Sequence, residues 1–407
     1  MKFKIDRLYL LDVLKKVQKV IPSKTPLEAL KMTKITMTTD GMTFLGSNAN
    51  VSIEVTLPAC NDENQIILFE DFQPGQLVEF LVDTIAMTPV LQKVKAKNIE
   101  FTLTGEPPHQ QLTMKYGRSL STFLVLSPNL YPNIEMNSPD HQNFLLSVED
   151  FKRLVNGGGY TPSSYQENRP VLTGVHLLYQ NGTLMCETTD TFALAKCSYD
   201  VGNLVDGDVA LMPLSISVPA QHLFTMIGTI PKDFTTVRIR VNQRHFTIEC
   251  LSESISLRMS SILLDGLYPD TMNFIPQTSS KQIYCDFETL NDALERLLIY
   301  TKSEKNTTPV IRLNVDPAHP TEITMTLKYD KVKCEEVVDV QSISGFDQPF
   351  IISFNPEFLS SGINALHDYG IHDLVIGFTS NMRPIVVRDK DERESILSLI
   401  VPVRMEG

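Results

Sequence analysis

No apolar run in this sequence approaches the ~20 residues that span a bilayer, and the opening Met1-Lys2-Phe3-Lys4-Ile5-Asp6-Arg7 lacks the apolar core of a secretory signal. Both absences point to a cytoplasmic chain with no membrane partner. Cysteine is scarce and scattered: Cys60, Cys186, Cys197, Cys250, Cys285 and Cys334 form no C-x-x-C pair. Reduced, mostly buried thiols are expected, with neither disulfides nor a zinc site. Positive charge is in the minority, 36 Lys and Arg against 48 Asp and Glu for a net −12. That balance argues against adhesion to nucleic acid over the whole surface and leaves room for one local basic face.

Catalytic signatures are also missing: there is no H-E-x-x-H, no Walker loop, no G-x-S-x-G and no Rossmann glycine pattern. Gly157-Gly158-Gly159 follows a helical pattern instead of opening one, so it reads as a helix stop and not a phosphate loop. His367 and His372 have poor ligand spacing. Asp389 to Glu394 reads as a solvated hairpin tip, and Asp190, after Thr188-Thr189, as a structural turn residue. No metal or cofactor is expected, and nothing argues for an enzyme.

What is present is repetition. Leu130-Tyr131-Pro132-Asn133 recurs as Leu267-Tyr268-Pro269-Asp270, each after an alternating Ser-rich run, Ser119 to Leu126 and Ser254 to Leu264. A third such run, Ser395 to Val401, ends near the C-terminus. Three copies of one domain are expected, at 1–138, 139–278 and 279–407, with boundaries in the polar stretches Ser138-Pro139 and Thr278-Ser279-Ser280. At 407 residues the chain suits several domains.

Amphipathic helical patterns recur about twice in each third. The first runs from Leu8 to Val20 with Leu10, Leu14 and Val17 on one face. A second is placed after Pro74-Gly75, using Leu77, Phe80, Leu81 and Ile85. A third opens at Ser147 and carries Phe151, Leu154 and Val155; a fourth starts near Pro219 with Leu223, Phe224 and Ile227. The fifth uses Leu290, Leu294, Leu297 and Leu298. The sixth starts at Asn355-Pro356, a cap followed by proline at the first helical position, and buries Phe358, Leu359, Ile363 and Leu366. Between them, period-two runs such as Val237 to Val241 and Ile323 to Leu327, with turns at Asp40-Gly41 and Asn181-Gly182, read as antiparallel hairpins. The fold class is α+β: three tandem repeats, each with two helices packed on antiparallel sheets.

These segments line up in order with one family. The chain resembles the bacterial DNA polymerase III β subunit, the DNA sliding clamp, through Met1-Lys2-Phe3, Tyr116-Gly117-Arg118-Ser119, Tyr131-Pro132-Asn133 and Arg169-Pro170-Val171-Leu172-Thr173-Gly174-Val175. The resemblance continues through Thr189-Asp190 with Leu194-Ala195, Leu264-Asp265-Gly266 with Tyr268-Pro269-Asp270, Phe354-Asn355 with Asn364-Ala365-Leu366, and Val401-Pro402-Val403-Arg404-Met405. It implies a head-to-tail homodimer closed as a ring around duplex DNA, binding it without regard to sequence and tethering a polymerase. At ~10 Å per packed helix, twelve helices give a circumference of ~120 Å, an axis circle ~38 Å across and ~28 Å free inside. Duplex DNA fits such a ring with a layer of water.

The DNA-facing residues so implied are Lys15, Lys16, Lys19, Lys24, Lys152, Arg153, Gln166 and Arg296. Two family aromatics beside Gln166 are replaced by Pro170 and Val171. The resemblance assigns dimer closure to edge strands, with Arg118 and Phe123 in the first domain and Ile299, Tyr300, Glu335 and Glu336 in the third. Arg118 opposite Glu335 or Glu336 is the expected ion pair. A peptide pocket between the second and third domains, serving the DNA polymerase III α subunit and the clamp-loader δ subunit, is implied at Leu172, Thr189, Phe192, Leu194, Pro269, Asn273, Phe274, Leu399, Val401, Pro402, Val403, Arg404 and Met405.

This chain departs from the family around that pocket. Thr191-Phe192-Ala193 stands where the family has Gly-His-Arg, and Asn273-Phe274 where it has Arg-Val. Glu406-Gly407 extends past the usual end. A shallower or reshaped pocket with altered peptide preference is expected. The alternative reading is a specialised or mobile-element clamp with its own partners.

Overall fold

The computed structural model describes every residue except 62–64, 71, 107–108, 137–141, 162–167, 201–212, 253–254, 302–307, 330–331, 392–394 and 405–407. In the first third the strands are β1 (Lys2–Asp6), β2 (Thr33–Thr38), β3 (Gly41–Ser47), β4 (Val51–Pro58), β5 (Ile67–Glu70), β6 (Val78–Val82), β7 (Asn98–Thr104), β8 (Gln111–Tyr116) and β9 (Ser119–Leu126). The middle third holds β10 (Gln142–Ser147), β11 (Gly174–Gln180), β12 (Thr183–Thr189), β13 (Ala193–Asp200), β14 (Leu214–Pro219), β15 (Thr236–Val241), β16 (His245–Leu251) and β17 (Ser256–Ile262). The last third holds β18 (Lys281–Asp286), β19 (Ile311–Val315), β20 (Glu322–Lys328), β21 (Lys333–Asp339), β22 (Ser342–Ser344), β23 (Phe350–Phe354), β24 (Asp373–Phe378), β25 (Ile385–Asp389) and β26 (Ile396–Ile400). The helices are α1 (Arg7–Val17), α2 (Thr84–Lys93), α3 (Val148–Gly158), α4 (Ala220–Ile227), α5 (Phe287–Thr301) and α6 (Pro356–Asp368).

The chain forms two compact units, one mainly from Met1–Val148 and Gln221–Leu263, the other mainly from Glu149–Leu204 and Leu264–Gly407. The first unit is organised on one 13-stranded sheet, β10-β15-β16-β17-β4-β3-β2-β6-β9-β8-β7-β1-β5. Its continuity rests on β17 pairing antiparallel with β4, Leu257 opposite Val55 and Met259 opposite Ile53. α1 packs on β3, β4 and α2, and Leu10, Val13, Leu14 and Val17 are buried as the apolar spacing requires. Asp6 caps α1 by accepting from Leu8 N (2.8 Å).

The second unit has a 9-stranded sheet, β14-β11-β12-β13-β26-β25-β24-β18-β22, and a 4-stranded sheet, β21-β20-β19-β23. Here β13 pairs with β26, Leu194 opposite Leu399, repeating the β4–β17 junction of the first unit. α5 and α6 pack on each other and bury Leu290, Leu294, Leu297, Leu359, Ile363 and Leu366. Asn355 caps α6 through Glu357 N (2.9 Å), and Pro356 takes the first turn as expected.

Four expectations need correction. The stretch from Val78 to Val82 is strand β6 and not helix: Phe80, Leu81 and Val82 are all fully buried, so both faces of an extended chain are covered and the apolar spacing carries no helical meaning. The helix begins only at Thr84, after Asp83 accepts from Ala86 N (3.0 Å). In α4 Met226 is buried while Phe224 is only half-buried, and in α6 Phe358 is likewise half-buried. Asp389, placed on a solvated tip, is buried at the end of β25.

The triple glycine ends α3, and it also permits close packing. A Cβ on Gly158 would stand 2.1 Å from Cys186 O, and one on Gly157 3.0 Å from Cys197 Sγ. Burial pushes the Cys197 thiol up to about 12, and it also holds the Cys186 thiol well above the ordinary thiol range, which keeps both protonated.

Candidate functional site

The β3–β4 and β12–β13 turns repeat one another. Asn48 Oδ1 accepts from Asn50 N and Val51 N (both 2.9 Å). Asp190 Oδ1 accepts in the same way from Phe192 N (2.9 Å) and Ala193 N (2.7 Å). Ala49 and Thr191 then take the same left-handed backbone, φ 76° and 79°. Asp190 is thus a turn residue, as its sequence context indicated.

The second turn opens onto a cavity of about 290 Å³ in the second unit. Leu172 rises from the short 3₁₀ turn Pro170–Thr173; Thr189 ends β12 and Leu194 lies in β13. Pro269 and Phe274 come from the segment after Gly266, and Leu399 and Val401 from β26 and its exit. These expected residues meet because β13 pairs with β26 and sets Leu194 beside Leu399. The lining also includes Arg169, Thr191, Ala193, Thr271 and Pro384. Arg169, Thr191 and Ala193 stand inside motifs recognised from sequence, and Thr271 directly follows one. Pro384 carries no local signal and arrives through the tertiary fold.

Other expected pocket residues lie outside the lining. Phe192 is 62% exposed beside the turn. Asn273 Nδ2 donates to Asp270 Oδ2 (2.9 Å). Val403 N donates to Ser353 O (2.7 Å), which ties the C-terminal strand exit to β23, while Pro402 is half-buried and Arg404 exposed. Met405, like Gln166, lies outside the described residues.

The cationic candidates divide into two kinds. Lys15 and Lys24 are exposed and Lys152 is half-buried. Lys16 is buried, its ammonium paired with Asp12 one turn earlier. Lys19 Nζ donates to Gly228 O (2.7 Å), and burial pulls its pKa down, with Lys16 adding like-charge repulsion. Arg153 is paired with Glu149 (2.9 Å) and lies 5.7 Å from the centroid of the Tyr369 ring. Arg296 is paired with Glu336 (2.8 Å). Pro170 and Val171 belong to the 3₁₀ turn, with Val171 in the core.

Among the described residues, β9 and β21 each present an open strand edge. β9 pairs with β8 along Ser119 to Leu124, but with β6 only at Val125 and Leu126. Leu120 (65%) and Leu124 (57%) are exposed there, Phe123 is half-buried and Arg118 is exposed. β21 ends the 4-stranded sheet, presenting Glu335 and Val337 to solvent, and Ile299 and Tyr300 of α5 are exposed as well. His367 stacks on Phe287 (4.0 Å between centroids), and His372 meets His367 edge-on (4.9 Å). Among the described residues no group of three His, Cys, Asp or Glu could hold a metal ion, and no helix is long and apolar enough to cross a membrane.

Three family models match the chain in succession. They describe the DNA polymerase III beta subunit: its N-terminal domain over residues 1–135, central domain over 146–270 and C-terminal domain over 272–404. A "Beta sliding clamp" of Bacillus subtilis (strain 168) is 26% identical over 407 residues, covering 99% of this chain and 100% of its own. One from Halalkalibacterium halodurans is 28% identical over 405 residues, covering 99% and 100%. The crystal structure of the DNA polymerase sliding clamp from Bacillus subtilis superposes with a TM-score of 0.87 at 23% identity, covering 100% of both chains. That of the DNA polymerase III beta chain from Streptococcus pneumoniae TIGR4 gives 0.85 at 25%, covering 99% of this chain and 100% of its own.

Proposed function

The chain belongs to the DNA polymerase III beta subunit family of sliding clamps, and from that premise we propose that it is a non-catalytic cytoplasmic tether. Two copies close head to tail around duplex DNA, each built from clamp domains at 1–138, 139–278 and 279–407. The observation that carries the partner role is the cavity formed by Leu172, Leu194, Pro269, Phe274, Leu399 and Val401. Its walls are chiefly apolar, with Thr189, Thr191 and Thr271 at intervals and Arg169 as the cation. Linear segments of the polymerase α subunit and of the loader δ subunit are the proposed occupants. Phe274 and Thr191, where the family has valine and glycine, shift its peptide preference.

Ring closure joins the open edge of β9 to that of β21 of the other copy. Unpaired backbone donors and acceptors on two such edges satisfy each other, and a heterologous contact of this kind closes when the rotation permits. Of the cationic candidates, Lys15, Lys24 and Lys152 are the ones left to meet phosphate, so the hold on DNA is topological, with few direct contacts. The test is retention on nicked circular DNA after loading. Retention that is lost on linearisation supports the ring, whereas equal retention on both forms, or a chain that light scattering shows to be monomeric at micromolar concentration, overturns it.

A further inference from the structure

Beneath one wall of the cavity lies a row of buried polar side chains on three neighbouring strands. His176 (β11), Glu187 (β12) and Lys196 (β13) are direct register partners, 5%, 4% and 8% exposed. Glu187 Oε1 accepts from His176 Nδ1 (2.9 Å), since a carboxylate only accepts, and His176 Nε2 meets Ser215 Oγ (3.0 Å). Each member of the row also holds one residue of the segment crossing above it. The His176 ring stacks on Tyr268, 4.3 Å between centroids at 9°. Glu187 Oε2 accepts from Thr271 Oγ1 (2.6 Å), and Lys196 Nζ donates to Met272 Sδ (2.8 Å).

That segment supplies Pro269, Thr271 and Phe274 to the cavity. It leaves Met272 50% and Phe274 65% exposed. Unanchored, such a segment gains by folding its aromatic ring into the adjoining apolar space and closing it. We propose that His176, Glu187 and Lys196 are positioning residues, which pin the 268–274 wall and keep the pocket open before a peptide arrives. A binding site formed in advance does not have to order its wall on association, which raises affinity without adding a contact. The proposal rests on the peptide-pocket reading, but the wall's anchoring is observable without any peptide.

The test replaces the row by apolar residues of similar shape, His176→Leu with Glu187→Val and Lys196→Met, at three positions that do not line the cavity. Such replacements of buried charged groups are often neutral or stabilising, so an intact melting transition is expected. Amide hydrogen exchange at Phe274 and Ile275, which donate to Thr271 O (3.0 Å) and Met272 O (3.3 Å), is expected to quicken about tenfold or more. A synthetic linear peptide with adjacent Leu and Phe anchors is expected to bind roughly tenfold more weakly, a loss of about one decade in Kd. Thr271→Val should quicken the same amides, and Thr271→Ser should restore wild-type exchange. Unchanged exchange in the triple variant and in Thr271→Val overturns the proposal, as does quickened exchange with undiminished peptide affinity. Should the triple variant fail to fold, Thr271→Val against Thr271→Ser decides the matter alone. Wild-type protein that binds no such peptide while the exchange pattern holds refutes the pocket reading and leaves the anchoring standing.

Discussion

Arg296 donates from both Nε (3.0 Å) and Nη2 (2.8 Å) to a single carboxylate oxygen of Glu336. The sequence placed the arginine before phosphate and the glutamate at a subunit edge. In the fold the end of α5 packs on β21, and the two charges answer each other within one chain.

With Glu336 so engaged, the proposed ring closure leaves Glu335 as the acid to meet Arg118 of a second copy. Its side chain is 54% exposed, with Lys333 3.8 Å away. Arg118→Glu is expected to weaken dimerisation, and Glu335→Arg in the same chain to restore it, while Glu336→Arg restores nothing. Sedimentation velocity across a concentration series checks all three. Equal rescue by either partner would contradict this assignment.

Thr191 holds a left-handed backbone, φ 79°, at an exposed position on the cavity. A β-branched residue pays for that conformation with roughly 1–2 kcal/mol of steric strain. Its turn persists because Thr189 Oγ1 accepts from Thr191 N (3.1 Å) and Asp190 bonds the next two amides. Thr191→Gly is expected to stabilise the protein by up to about 1 kcal/mol, the relieved strain being offset in part by added unfolded-state entropy. Chemical denaturation measures the change, and a lower midpoint would count against the strain argument.

Gly158→Ala should do the reverse of what such a change does in an open helix. There alanine gains about 1 kcal/mol over glycine. Here the added carbon stands 2.1 Å from Cys186 O and 2.7 Å from its carbonyl carbon. A loss of roughly 1–3 kcal/mol is expected from forcing α3 off β12, read as a lower melting temperature.

His222 supplies a pH dependence. Burial lowers its pKa from the ordinary 6.5, and Nδ1 meets Ser261 Oγ at 2.8 Å. The unfolded chain therefore binds the proton more readily than the folded one between the two values. Stability is full above pH 6.5 and falls as the pH drops from there through the lowered folded value. The melting temperature is expected to decline over that window, and His222→Gln to flatten the decline. An identical slope in the variant would assign the effect to other groups.

The sequence by itself determined the repeat, five of the six helices and most of the hairpins, because periodicity and turn chemistry are local and each element carries them in its own residues. It also located the part of the cavity that sits in recognisable motifs: Leu172, Thr189, Leu194, Pro269, Phe274, Leu399 and Val401. The stretch around Phe80 misled because a strand buried on both faces offers no alternation to distinguish it from a short helix. Only the tertiary structure decided which charges were already matched. Arg296 found Glu336, and His176, Glu187 and Lys196 became one row under the pocket wall, whereas the Lys16–Asp12 pair is set by spacing within α1 alone. The His176, Glu187 and Lys196 row and the Arg296–Glu336 pair depend on which strands and helices are neighbours, and neighbours in a sheet are chosen by burial over the whole unit. Pro384 joins the cavity for the same reason: nothing in its local sequence distinguishes it until β25 and β26 lie side by side.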